Sequence, residues 1–341
     1  MKMKRLLCLL AAVVFVFFLA AGASAKVVIK LSNAGPNNPD NRTVKAVEIF
    51  KAMVEKGTQG EVQVQAFHAS ALGNERESLE GIKMGTIQMG TLSSGPVAGF
   101  FSPVMVMGIP YLFSSAPAAW NAYNGEFGQA FAEAFQKQTG VRILGMTENG
   151  YRHFTNNTRE IKAPQDMKGL KIRTMGLESH RTVVSSMGGQ PVAINWAEVY
   201  TSLQTGVADG QMNPIPIVKF AKFDEVQKYL TLTNHLFTPY VWIMNKGFYD
   251  GLTAQEKEVV KAAAESAIVA CRGINRIIEA SERGLPALAQ KMQIYTPTKA
   301  EIAKFRELAQ PAVKAQIAKS YGKEGEALLA DFQAAIDKAT K

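Results

Sequence analysis

Short β-branched runs alternate with stretches of helical apolar spacing from residue 27 onward, and that order admits few architectures. Residues 27–31 form the first run and end in the turn-rich Ser32-Asn33-Ala34-Gly35-Pro36-Asn37-Asn38-Pro39. Val44, Val47, Ile49, Phe50 and Val54 then recur at helical spacing. Residues 62–67 read as a second strand, 75–84 as a second helix closed by Gly85, and 87–90 as a third strand. This order predicts an α/β fold, a parallel sheet with helices on both faces. Ligands of such sheets sit beyond the carboxyl ends of the strands, which makes the loops at 32–40, 67–74 and 91–96 candidate pocket walls.

The pattern restarts further along. Residues 140–146 read as a strand, and Asn149-Gly150-Tyr151-Arg152-His153-Phe154-Thr155-Asn156-Asn157 leads into a second series beginning Leu170-Lys171-Ile172-Arg173. Helix signals at 178–187 and 196–206 flank a short strand, Gln190-Pro191-Val192-Ala193, and 241–245 is one more strand. Thr253 caps a long helix that starts at Gln255 and runs to about Arg283, where Gly284-Leu285-Pro286 ends it. Segments 299–321 and 324–340 are amphipathic packing helices. The apolar passage 97–113 is interrupted by Ser102, Pro103, Gly108 and Pro110 and reads as a buried strand and loop, not a membrane span.

The beginning of the chain sets the compartment. Lys2, Lys4 and Arg5 precede an unbroken apolar run at 6–21, and Ala23-Ser24-Ala25 supplies small residues for cleavage. That is a secretory signal peptide spanning 1–25, cleaved after Ala25, and it directs the mature chain to the periplasm. Cys8 leaves with it, and Cys271 alone makes neither an intramolecular disulfide nor a multi-cysteine zinc site. The remaining 316 or so of 341 residues are enough for two lobes. Loss of the leader takes the formal charge from +9 to +6 without any basic block. A mild positive field suits anionic ligands, whereas nucleic-acid binding calls for clustered Lys and Arg.

Several chemistries lack their residues. His68, His153, His180 and His235 lie far apart and show no metal-ligand spacing. No Gly-x-Ser-x-Gly elbow, Walker loop or Gly-x-Gly-x-x-Gly turn occurs, so no metal or cofactor is expected. Glu75 with Glu77 or Glu80 reads first as charge solvated on an early helix turn.

A set of motifs runs in order through nearly the whole mature chain: Ala71-Leu72-Gly73 with Glu77 and Gly81, Gly108-Ile109-Pro110-Tyr111-Leu112-Phe113, Gly150-Tyr151-Arg152-His153-Phe154-Thr155-Asn156, Leu170-Lys171-Ile172-Arg173, Glu198-Val199-Tyr200-Thr201-Ser202-Leu203-Gln204-Thr205-Gly206 and Asp209-Gly210-Gln211-Met212-Asn213-Pro214. In order and spacing the set resembles the DctP-type solute-binding subunits of tripartite ATP-independent periplasmic (TRAP) transporters. The resemblance implies a two-lobed periplasmic-binding-protein fold with a central cleft, chain crossings near 150 and 236, and a long helix spanning both lobes. Lobe I would comprise 26–150 plus 236–280, and lobe II 151–235 plus 281–341. It implies delivery of a small organic carboxylate to a cation-gradient-driven TRAP membrane permease, without catalysis by this subunit.

The resemblance also distributes roles. Arg173 stands at the position of an arginine that holds the ligand carboxylate, and a guanidinium fork pairs both oxygens of such a group. From spacing alone Arg173 reads at least as readily as a structural ion pair. Arg152 matches a second arginine near the ligand, with contacts to linker carbonyls as the alternative. Asn213 matches an asparagine that hydrogen-bonds the same carboxylate, although Asn213-Pro214 is also an ordinary turn. On the other lobe Asn33, Asn74, Glu75, Ser93 and Ser94 lie beyond strand ends and offer contacts for hydroxyl, keto or amino groups, or are plain loop residues. Trp196 and Tyr240 are candidate aromatic walls or core residues. Met212 stands where many relatives carry glutamate, and no third arginine joins the set; both points favour a monocarboxylate. The rival functions are a ligand sensor for a membrane receptor and a periplasmic enzyme of unknown chemistry. Monomer and dimer are equally compatible with the sequence.

Overall fold

A computed structural model describes residues 26–339; the leader at 1–25, with its cleavage point after Ala25, lies outside the described residues. β1 (Val27–Asn33), β2 (Val62–Phe67) and β3 (Met89–Ser93) run parallel, with β1 in the middle. Between them α1 (Arg42–Gly57) sets Val47, Phe50 and Val54 into one core with Ile29, Leu31, Val62 and Val64. α2 (Glu75–Met84) buries Leu79 and Ile82 in a second core with Leu92. Asn41 caps α1 by accepting from the Thr43 amide. Asn74 and Glu77 close a reciprocal capping box on α2, which satisfies two amide groups that the helix start leaves unpaired.

α3 (Ala116–Asn124) and α4 (Glu126–Thr139) lead into β4 (Val141–Asn156). β5 (Lys171–Thr174), α5 (Glu178–Ser185), β6 (Gln190–Ala193), α6 (Val199–Gln204), β7 (Gly210–Asn213) and α7 (Ile215–Phe220) follow. β8 (Tyr229–Asn245), α8 (Ala254–Ala280), β9 (Gln293–Tyr295) and α9 (Lys299–Ala339) complete the described chain. The sheet order is β2-β1-β3-β8-β4-β7-β5-β6, with β9 also on β8. Two parallel groups, β2-β1-β3 and β7-β5-β6, thus sit at opposite ends of a long antiparallel pair, β4 and β8. This is the bilobed α/β periplasmic-binding fold. α8 opens with a capping box at Thr253 and packs on α1 and β4 as well as on α7 at the other end of the sheet.

Three sequence expectations change. The strands expected at 140–146 and 241–245 are the outer thirds of β4 and β8, which run on through the middle of the molecule. The stretch from Asn149 that leads into the second series is itself part of β4, which passes Asn149-Gly150 with a register shift at Glu148/Gly150 and Gly150 at a φ of 112°. The sheet is consequently mixed, antiparallel where β3, β8, β4 and β7 adjoin. The passage 97–113 carries a 3-10 helix, Ser102–Gly108, in place of a strand; a short buried apolar run has no period that separates the two. α9 breaks at Gly322, whose φ and ψ are 53° and −134°, matching the gap between the two C-terminal helices read from the sequence. Among the described residues no helix is long and apolar enough to cross a membrane.

Candidate functional site

The carboxyl ends of β1 and β3, the first turns of α1 and α2, the middle of β4 and β8, and β5 and β7 converge on one cavity. All eight candidate ligand-binding residues line it: Asn33, Glu75, Ser93, Arg152, Arg173, Trp196, Asn213 and Tyr240. Asn74 is instead the cap of α2 and faces an outer compartment of about 690 Å3, which shares Glu75, Arg173, Met175 and Trp196 with the inner one. Ser94 lines neither space.

Arg152 and Arg173 approach from β4 and β5. Arg173 donates through Nε and Nη2 to the Ile194 carbonyl, at 3.0 and 2.8 Å, and its Nη1 has no acceptor among the described residues. Arg152 donates through Nε to Thr238 Oγ1 at 3.1 Å and through Nη1 to the Met212 carbonyl and Asn213 Oδ1, at 2.8 and 2.9 Å. Its Nη2 meets only the sulfur of Met175, at 3.7 Å. Burial, and for Arg152 the neighbouring Arg173, pulls the two pKa values down to about 9 and about 10; both groups remain cations at neutral pH. Neither is within salt-bridge distance of a carboxylate among the described residues, although the charge of Glu75 across the cavity acts on both. Buried charges without a direct ion-pair partner are costly, and such groups cluster where ligands complete them.

Asn213 passes its amide to Gln211 Oε1 at 2.6 Å, and Gln211 donates on to Thr155 Oγ1 at 2.8 Å. This buried chain fixes the amide with its oxygen on Arg152 and one amide hydrogen to spare. Across the cavity Glu75 accepts from the Ser93 amide at 2.7 Å and from Ser93 Oγ at 2.8 Å. Burial raises the Glu75 pKa, against the Ser93 hydrogen bonds and the pull of Arg173 and Arg152. Asn33 is wholly buried, with Oδ1 on the Gly35 amide and Nδ2 at 3.2 Å from His68 Nδ1. Half-buried Trp196 stands edge-on to Phe220, 6.2 Å between ring centroids; with Met175 and Ile217 these rings give the cavity its apolar side.

A scan against family models matches residues 34–320 to DctP, bacterial extracellular solute-binding protein family 7. The chain belongs to this family. It is 35% identical over 304 residues to a solute-binding protein of Verminephrobacter eiseniae, covering 89% of this chain and 88% of that one. A TRAP periplasmic solute-binding protein from a Polaromonas species, solved bound to D-erythronate, has a TM-score of 0.82 at 34% identity and covers 91% of this chain and 99% of its own. The sugar acid binding protein of Advenella mimigardefordensis, solved with galactonate, has a TM-score of 0.86 at 28% identity, covering 92% and 99%. As a DctP-type TRAP protein the chain is a solute-binding subunit that delivers a carboxylate to a membrane permease and performs no catalysis of its own. Among the described residues no group of three His, Cys, Asp or Glu is placed to hold a metal ion.

Two points of the sequence reading are corrected in this DctP-type cavity. Met212 does not face it: alternation along β7 turns its side chain into the core, where its sulfur lies 3.3 Å from His235 Nε2, and only its carbonyl reaches Arg152. Its lack of charge therefore says little about the ligand. A third arginine does join the set, because Arg42, 2% exposed, lines the cavity from the first turn of α1. A signal for it exists in the sequence. A cation directly after the Asn41 cap opposes the helix dipole, so its position asks for another reason. Asn149, Ile217 and Phe220 also line the cavity, and no motif in the sequence marks them.

Proposed function

We propose that the protein captures a small hydroxylated organic acid, of sugar-acid type and with a single carboxylate, between its two lobes and hands it to a cation-gradient-driven TRAP permease. The observation that carries this reading is a pair of buried, unpaired guanidinium groups, Arg152 and Arg173, each with a terminal nitrogen free of any oxygen acceptor. One carboxylate bridging them, with the spare amide hydrogen of Asn213, satisfies these donors. Glu75, Ser93 and Asn33 face the body of the ligand with a carboxylate, a hydroxyl and an amide, a set suited to hydroxyls, and the Glu75 charge opposes a second carboxylate nearby. Trp196 and Phe220 cover the carbon skeleton. The erythronate and galactonate held by two relatives support the same class.

In this reading lobe I is 26–150 plus 236–280 and lobe II is 151–235 plus 281–341, and closure about the crossings of β4 and β8 removes water from the arginine pair. The course of those two strands supports the division. The leader is removed after Ala25 on export. A thermal-shift screen of galactonate, erythronate, succinate and neutral galactose tests the proposal, because a bound ligand raises stability by mass action. The hydroxylated monocarboxylates are expected to give the largest shift. Equal response to the neutral sugar, or preference for succinate, would refute it.

A further inference from the structure

Arg42 ties the start of α1 to β4, and that structural role leaves one of its terminal nitrogens unused. Its Nε and Nη2 donate to the Glu148 carbonyl at 3.4 and 3.3 Å, and Nη2 also reaches the Asn149 carbonyl and Oδ1, at 3.2 and 2.9 Å. Those bonds fix the plane of the guanidinium against β4. Nη1 has no acceptor among the described residues, and the side chain, 2% exposed, lines the cavity, which leaves this nitrogen to the cavity side. No carboxylate pairs with Arg42 among the described residues. The charge is desolvated and sits at a helix start, both unfavourable for an arginine.

Its place in the cavity differs from that of the other two arginines. Arg42 comes from α1, on the wall of Asn33, Glu75 and Ser93, and is anchored at Asn149, three residues before Arg152 and on the other side of the irregularity at Gly150. We propose that Arg42 is a third ligand-contacting residue, which donates through Nη1 to an acceptor oxygen at the end of the ligand remote from its carboxylate. A guanidinium only donates. The far end must then carry a hydroxyl or carbonyl oxygen, and acids ending in a methyl or an ammonium group are rejected. Arg42 thereby sets the length and the terminal group of the acid. This rests on the sugar-acid reading above and narrows it.

The test is calorimetry with D-galactonate and its 6-deoxy analogue, which lacks only the far hydroxyl, on the wild-type protein, Arg42→Met and Arg42→Gln. The wild type should prefer galactonate by at least about tenfold, the worth of one hydrogen bond to a charged donor. In Arg42→Met the preference should fall to within about threefold. Arg42→Gln, which keeps a polar group at the start of α1 but falls short of the Nη1 position, should lose it as well. The ratio of two affinities on one protein is insensitive to a general loss of stability. Should one variant fail to fold, the other carries the comparison, and the wild-type ratio needs neither. A wild type that binds both acids equally, or a variant that keeps the full preference, overturns the assignment of Arg42 alone. A wild type that binds neither acid removes the sugar-acid reading and this inference with it.

Discussion

The two walls of the cavity are built on different plans. On the β4, β5 and β7 wall two cations stand beside Asn213, Arg173 with its other donors on the Ile194 carbonyl and Arg152 with its others on the Met212 carbonyl, Asn213 Oδ1 and Thr238 Oγ1. Their positions are fixed by the sheet and their demand is for one anion. On the α1, α2 and β3 wall the groups come from helix starts and strand ends, and donors and acceptors are mixed: Asn33, Arg42, Glu75 and Ser93. In the proposed reading the first wall holds the carboxylate and the second selects among acids, so substitutions on the two walls should fail in different ways.

The largest expected effect is on the anion wall. Arg173→Ala leaves a buried carboxylate without its main partner and should weaken binding of every acid by about 2–5 kcal/mol, roughly 30-fold to several thousand-fold, measured by calorimetry. Near-normal affinity would remove the distinction between the walls. Next comes their junction. Gly150 holds a φ of 112° where β4 crosses, and an added Cβ would meet Asn275 Nδ2 and Pro214 Cβ at 3.3 Å. Gly150→Ala should therefore lower unfolding stability by about 1–3 kcal/mol in denaturant melts, with the rank order of ligands unchanged. On the selective wall Glu75→Gln should change preference among hydroxylated acids by roughly tenfold while leaving simple acids little affected.

The same substitution has a pH signature. Burial raises the Glu75 pKa, so the folded protein binds its proton more tightly than the unfolded chain does. The contribution of Glu75 to stability is therefore full below the unfolded value of about 4.3 and is lost as pH rises through the folded one. Ligand-free Glu75→Gln should melt higher than wild type at neutral pH, and the gap should close in acid. A gap that widens in acid would show that Glu75 is instead held as a stable anion. The smallest effect is expected of Trp196→Ala, a loss of about 1 kcal/mol shared by all acids of similar skeleton and read by calorimetry.

What was legible in the sequence follows a physical divide. β1, α1, β2 and α2 are each set by local periodicity and by caps within four residues, as Asn74 with Glu77 shows, and they form where the spacing predicts. Cavity-lining positions at strand ends were legible for the same reason, since topology brings Asn33, Glu75 and Ser93 to one place. The passage of β4 through Asn149-Gly150 was not, because the dipeptide that makes a turn in isolation makes a bulge when β8 pairs on its flank. The direction of Met212 depends on which face of β7 meets the cavity, and the partner of Arg42 lies more than a hundred residues away at Glu148 and Asn149. Long-range geometry of that kind has no local trace.

The central claim is that one carboxylate sits between Arg152 and Arg173. A crystal structure of the protein with bound galactonate measures this directly. A carboxylate oxygen is expected within hydrogen-bonding distance of each of the two guanidinium groups, with the hydroxylated chain pointing towards Glu75 and Arg42. A ligand whose carboxylate lies away from both arginines would contradict it.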